Sequence, residues 1–152
     1  MSYQHILLVT DLLSDADIVA ERAKRIIAGS PDAKLSVLHI VEDDMVRFGY
    51  ELVPASELSG DKDGAHWQAA RAKLAQFIER NTLEAVNSEV TAAISNDKGI
   101  VSYCHEKDVD LLVIGRHERR GIAAWIVGAT ADNILPNTPC DSLVVKLDQS
   151  VP

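Results

Sequence analysis

Basic charge is the first thing this sequence is short of. Lys and Arg number 15 against 23 Asp and Glu, so the formal charge is −8 and the isoelectric point about 5.0. Non-specific binding to nucleic acid or to an anionic membrane needs a net basic face, so neither is expected as a partner. Cysteine is scarce too. Cys104 and Cys140 stand far apart with no C-x-x-C pair, and read as reduced, buried thiols rather than a bridge. No apolar run reaches membrane-spanning length. The start, Met1-Ser2-Tyr3-Gln4-His5, has no basic n-region and no signal-type cleavage site, so a cytoplasmic location is expected. His5, His39, His66, His105 and His117 are scattered, and no pair has metal-ligand spacing with a matching carboxylate or thiol. G-x-S-x-G, the Walker A lysine motif and G-x-G-x-x-G are all missing, as is any nucleophile–base pair. The expectation is therefore no metal, no catalytic residue and no enzyme.

What is present is a regular alternation of strand and helix in 152 residues, enough for one domain spanning 1–152 with a substantial core. Ile6-Leu7-Leu8-Val9 is a short continuous apolar run, as suits a strand buried on both faces. Ser14 reads as a helix N-cap with Asp17 as its capping-box partner. Ala16, Val19, Ala20, Ala23, Ile26 and Ile27 follow at helical spacing until Gly29 and Pro31. Leu35 to Val41 is a second strand. Met45 to Gly64 shows no clean period and is the least regular stretch. A second helix is expected near Ala65, with Trp67, Ala70, Leu74, Phe77, Ile78 and Asn81 on one face. Ser88 to Ile94 alternates as a third strand. Ile100, Val101 and Cys104 form the inner face of a short third helix. Asp110 to Gly115 is a fourth strand, a helix begins at Gly128, and Ser142 to Lys146 is the fifth. Five strands and four helices in this order predict an α/β fold with a doubly wound, mostly parallel sheet.

In such a sheet, ligands sit beyond the carboxyl ends of the strands where strand order reverses. If the first and fourth strands are neighbours, Asp11 and Gly115 face each other across one crevice. The helix start at Gly128-Ala129-Thr130 would close it, with free N–H groups for an anion. Arg116, Arg119 and Arg120 supply a basic loop beside it. Asp11 could equally be a turn residue, the arginines a solvated run, and Gly128 a packing glycine. His39 reads as a satisfied core or strand-end residue rather than a general base.

The chain resembles the universal stress protein (UspA-like) family over essentially its full length. The resemblance rests on His5-Ile6-Leu7-Leu8-Val9-Thr10-Asp11, Leu38-His39-Ile40-Val41, Asp110-Leu111-Leu112-Val113-Ile114-Gly115, Gly128-Ala129-Thr130-Ala131 and Pro139-Cys140-Asp141-Ser142-Leu143-Val144-Val145-Lys146. The closing segment is similar to the C-terminal half of the tandem-domain, E-type members. The resemblance implies a five-stranded sheet in the order 3-2-1-4-5 with helices on both faces, the adenine nucleotide alpha hydrolase-like fold. It also implies a homodimer whose last strands, Leu143 to Leu147, pair edge to edge and so cover an exposed edge. Nucleotide-binding members carry Gly, two residues, Gly, nine residues, Gly, then Ser or Thr. Gly115 and Gly128 match the outer glycines. Glu118 replaces the middle one and Ala129 the hydroxyl, with Thr130 one residue late. Asp11 and Ile40 match positions that hold ribose and adenine.

The resulting expectation is a non-catalytic, stress-response regulator with a degenerate adenine-nucleotide pocket. Its expected residues are Asp11, Ile40, Gly115, Arg116, Gly128, Ala129 and Thr130. A glutamate near phosphates adds bulk and like charge, so weak or no ATP binding is expected, with AMP or ADP better suited. Two alternatives stand beside it. One is an ATP-binding member that uses Arg116, Arg119 and Thr130 to replace the missing contacts. The other is a protein-interaction module acting through residues 45–64, with Phe48, Tyr50 and Leu52 exposed.

Overall fold

A computed structural model describes residues 3–12, 15–42, 45–48, 50–54, 65–93, 96–117 and 138–147. The elements run β1 (His5–Val9), α1 (Ala16–Ala28), β2 (Lys34–Glu42), β3 (Met45–Phe48), β4 (Glu51–Pro54), α2 (Ala65–Arg80), β5 (Ala85–Ala93), α3 (Asn96–Glu106), β6 (Leu111–His117) and β7 (Asp141–Leu147). Five strands form one sheet in the order β5-β2-β1-β6-β7, every pairing parallel. Counting only the strands of this sheet, the order is the expected 3-2-1-4-5.

The apolar run of β1 explains its central place. Ile6, Leu7, Leu8 and Val9 are all buried, because both faces of this strand are covered. Ile6 and Leu8 point into a core with Val19, Ala20 and Ala23 of α1, Leu74 and Phe77 of α2, and Val113 and Val145 of the sheet. Leu7 and Val9 point the other way, against Ile100, Tyr103 and Cys104 of α3 with Leu112 and Ile114 of β6. Helices thus cover both faces. Each fully buried Leu or Ile contributes about 1.5–3 kcal/mol of transfer free energy.

Local devices fix the entry to β1. The Asp110 carboxylate accepts hydrogen bonds from the backbone N–H of Gln4 at 2.7 Å and of His5 at 2.9 Å. The N–H of Asp110 donates in turn to the His5 carbonyl at 3.0 Å. One side chain therefore sets the register between β1 and the start of β6.

Three expectations change. Asp17 has a tertiary role instead of a purely local one: its carboxylate accepts from Arg80 Nη2 at 2.9 Å and Asn81 Nδ2 at 2.8 Å, tying α1 to the end of α2. The Arg80 bond first, then the Asn81 bond, hold its pKa below the usual carboxylate range. The residue preceding α1 is Asp15, which makes no side-chain capping bond; Ser14 lies outside the described residues. The stretch after β2 is more regular than expected, since β3 and β4 pair antiparallel as a hairpin, Met45 opposite Pro54 and Phe48 opposite Glu51. The third strand of the main sheet begins at Ala85, ahead of Ser88. The helix expected from Gly128 lies outside the described residues.

Candidate functional site

Strand lengths create a notch at the carboxyl edge of the sheet. β1 stops at Val9, paired with Leu38, while β2 runs on through His39 to Glu42, paired with β5. On the other side, Leu8 pairs with Val113, and β6 continues through Ile114 to His117, paired with β7. The central strand is thus outlasted by both neighbours. Strand order reverses here too, so the notch occupies the position where doubly wound sheets take ligands.

Thr10, Asp11 and Leu12 form its floor. Thr10 is buried, and its N–H donates to the Leu38 carbonyl at 3.0 Å. Its Oγ1 accepts the Leu12 N–H at 3.0 Å, closing a tight side-chain turn. Leu12 adopts φ 60°, a left-handed conformation that a leucine takes only when its surroundings enforce it. The turn leaves Asp11 half-buried at the mouth. His39 Nδ1 meets the Thr10 carbonyl at 2.9 Å. A carbonyl can only accept, so this nitrogen carries the proton. Burial is the main cause that lowers the pKa of His39 below the ordinary histidine value; the Thr10 carbonyl and Asp11 oppose it, and Lys73 adds to it. A neutral imidazole bracing the floor follows, in keeping with the strand-end reading of His39.

The structure brings four of the expected residues to this notch. Asp11 follows β1; Ile40 lies in the overhang of β2, opposite Thr91; Gly115 and Arg116 lie in that of β6, opposite Val145 and Lys146. Gly128, Ala129 and Thr130 lie outside the described residues, as do Glu118, Arg119 and Arg120. Gly115 has a packing role that spacing did not reveal. A Cβ there would lie 2.8 Å from Leu147 Cδ1 and 2.9 Å from Val19 Cγ2. Any larger residue at this point would force Leu147 and Val19 to shift, so glycine lets α1 and β7 close over β6.

Two features away from the notch were not anticipated. The Tyr103 hydroxyl is buried without a direct hydrogen bond, facing Ser36 and Glu89, and its pKa is pushed up to about 12, chiefly by burial. Ser36 itself meets His5 Nε2 at 2.7 Å, while His5 Nδ1 meets the Lys107 carbonyl at 2.9 Å. The two cysteines, so distant in sequence, lie side by side. Among the described residues, no cluster of His, Cys, Asp or Glu could hold a metal ion, and no helix is long and apolar enough to cross a membrane.

Topology and strand ends together define a doubly wound, all-parallel α/β protein with its switch point at the carboxyl end of β1. The sequence model of the Universal stress protein family matches residues 2–146, and the chain belongs to that family. It is 26% identical over 149 residues to universal stress protein A homolog 1 of Coxiella burnetii, covering 98% of this chain and 100% of the relative. UspA from Lactobacillus plantarum shares the fold with a TM-score of 0.68 and 24% identity, over 95% of this chain and 99% of that one. A universal stress protein solved in complex with cAMP superposes with a TM-score of 0.64 and 21% identity, over 95% and 98% of the two chains. One from Archaeoglobus fulgidus in complex with dAMP gives 0.63 and 14%, over 96% and 100%.

Proposed function

We propose that this protein is a non-catalytic regulator that takes an adenine nucleotide of the AMP class into the notch above β1. The observation that carries the proposal is the overhang of β2 and β6 beyond Val9, with Asp11 between them. Asp11 is the acceptor for ribose or base, and the backbone at Ile40 flanks the base. Glu118 and Ala129 are what weaken the hold on a triphosphate, through like charge and a lost hydroxyl donor. Complexes of related folds with cAMP and dAMP support a monophosphate as the first ligand to try. No turnover is proposed, and the site of action is the cytoplasm.

Calorimetry with AMP, ADP and ATP tests this reading on the wild type, on Asp11→Ala and on Glu118→Gly/Ala129→Ser. The repaired variant is expected to gain ATP affinity about tenfold or more, because each 1.4 kcal/mol recovered is a factor of ten. Asp11→Ala is expected to lose affinity for all three. Full affinity in Asp11→Ala would remove that carboxylate from the site.

A homodimer through β7 is part of the proposal. β7 ends the sheet, and Leu143 and Val144 are only half-buried in the single chain. Sedimentation equilibrium is expected to give twice the 16.6 kDa chain mass; a monomer at micromolar concentration would contradict it. A second reading, a partner-binding module, is favoured by one feature: Tyr50 stands fully exposed at the tip of the β3–β4 hairpin. It leads if no nucleotide binds either form.

A further inference from the structure

The fold brings together two thiols that the sequence keeps apart. Cys104 lies on the last turn of α3 and is buried among Leu7, Ile100, Leu112 and Ile114. Cys140 immediately precedes β7 and packs against the same cluster, half-buried. Backbone bonds fix both approaches. Val109 N–H donates to the Cys104 carbonyl at 3.2 Å, and Asp141 N–H to the Asp110 carbonyl at 3.3 Å. The end of α3, the start of β6 and the start of β7 therefore meet at one point, with both side chains packed into one apolar cluster.

We propose that Cys104 and Cys140 are an oxidisable pair, and that a hydroperoxide converts them to a disulfide that pins the end of α3 to the residue before β7. Cys140 is the entry thiol because it is the more exposed. Its thiolate attacks one peroxide oxygen; the O–O bond breaks, hydroxide leaves and is protonated to water, and Cys140 becomes a sulfenic acid. The Cys104 sulfur then attacks the Cys140 Sγ. The S–S bond forms, the S–O bond breaks, and the departing hydroxide takes the second proton as water. Two thiols lose two electrons and two protons, and hydrogen peroxide becomes two waters.

Packing also sets the pace. Burial raises both thiols above the ordinary value, Cys104 to about 12, and Asp141 and Asp110 add to the burial of Cys140. Little thiolate exists at neutral pH, so the pair answers sustained exposure rather than a brief pulse. Once formed, the bond closes a ring that holds all of β6. Such a ring restricts the unfolded chain and raises the temperature at which the fold is lost.

The test is exposure of the full-length chain to hydrogen peroxide under native conditions, followed by blocking of free thiols and peptide mapping. The expected product is one intrachain link between the Cys104 and Cys140 peptides, and an unfolding midpoint higher by roughly 5–10 °C that reverts with dithiothreitol. In Cys104→Ser, Cys140 is expected to stop at a sulfenic acid that dimedone traps. In Cys140→Ser, Cys104 is expected to stay unreacted over the same exposure. Wild-type protein that ends with interchain links, with sulfinic acids or with both thiols still blockable would overturn the proposal. So would a linked protein with an unchanged midpoint. The mapping on wild type stands even if the Cys104→Ser variant fails to fold.

Discussion

Gly115 is a residue with two claims on it. Its place at the carboxyl end of β6 fits a glycine beside a ligand, yet its missing side chain also makes room for Leu147 and Val19. The packing claim is open to direct measurement. Gly115→Ala is expected to destabilise the fold by about 1–3 kcal/mol, as overpacking does, read as a lower urea midpoint at unchanged slope. Full stability would mean that Leu147 and Val19 yield freely, and would leave the ligand as the reason for glycine. Tyr103 and Cys104, neighbours on α3, make a second claim at this scale. The ordinary values of these groups are 10.0 and 9.0, and both are pushed up to about 12 in the fold. The folded state thus keeps protons that the unfolded chain releases. Their contribution to stability is complete below about pH 9 and drains away as pH climbs towards 12. Urea unfolding between pH 8 and about 12 is expected to show that decline, and Tyr103→Phe to flatten part of it. A decline identical in Tyr103→Phe would take Tyr103 out of the account.

At the scale of the element, β1 is built from both ends. Its amino end is pinned by Asp110, its carboxyl end by the Thr10 turn and the His39 brace. Asp110→Ala leaves two backbone N–H groups without their acceptor, at a cost of about 1–3 kcal/mol. Denaturation midpoints check this, and hydrogen exchange is expected to quicken first at Gln4 and His5. Exchange unchanged at those amides would show that water replaces the carboxylate at no cost. The elements also show what could be read in advance. Runs such as Ile6 to Val9 and Leu111 to Ile114 announce buried parallel strands, because nothing else tolerates apolar residues on both faces. The helices at Ala16 and Ala65 were legible from their spacing. The β3–β4 hairpin was not, because Met45 to Pro54 carries no simple alternation and its pairing is set across the turn. The tertiary partners of Asp17 were hidden for a similar reason. A carboxylate near a helix start suggests a cap, and only the arrival of α2 gives it Arg80 and Asn81.

At the scale of the molecule, alternation of strand and helix was enough to predict a doubly wound sheet. The order β5-β2-β1-β6-β7 was implied by the family resemblance rather than by any residue spacing. That order puts Asp11, Ile40, Gly115 and Arg116 at one edge. The notch itself was hidden, because it depends on where β1 stops relative to β2 and β6, and strand ends are fixed by pairing. The meeting of Cys104 with Cys140 was hidden too, since it exists only once α3 and β7 flank β6. Membership of the universal stress protein family rests on a match over residues 2–146. The proposed weak hold on a triphosphate turns on Glu118 and Ala129. The most direct test of the account is a calorimetric titration of the wild-type protein with AMP and with ATP under identical conditions. The account predicts saturable AMP binding with a dissociation constant at least about tenfold lower than that for ATP. ATP binding as tight as or tighter than AMP would contradict it.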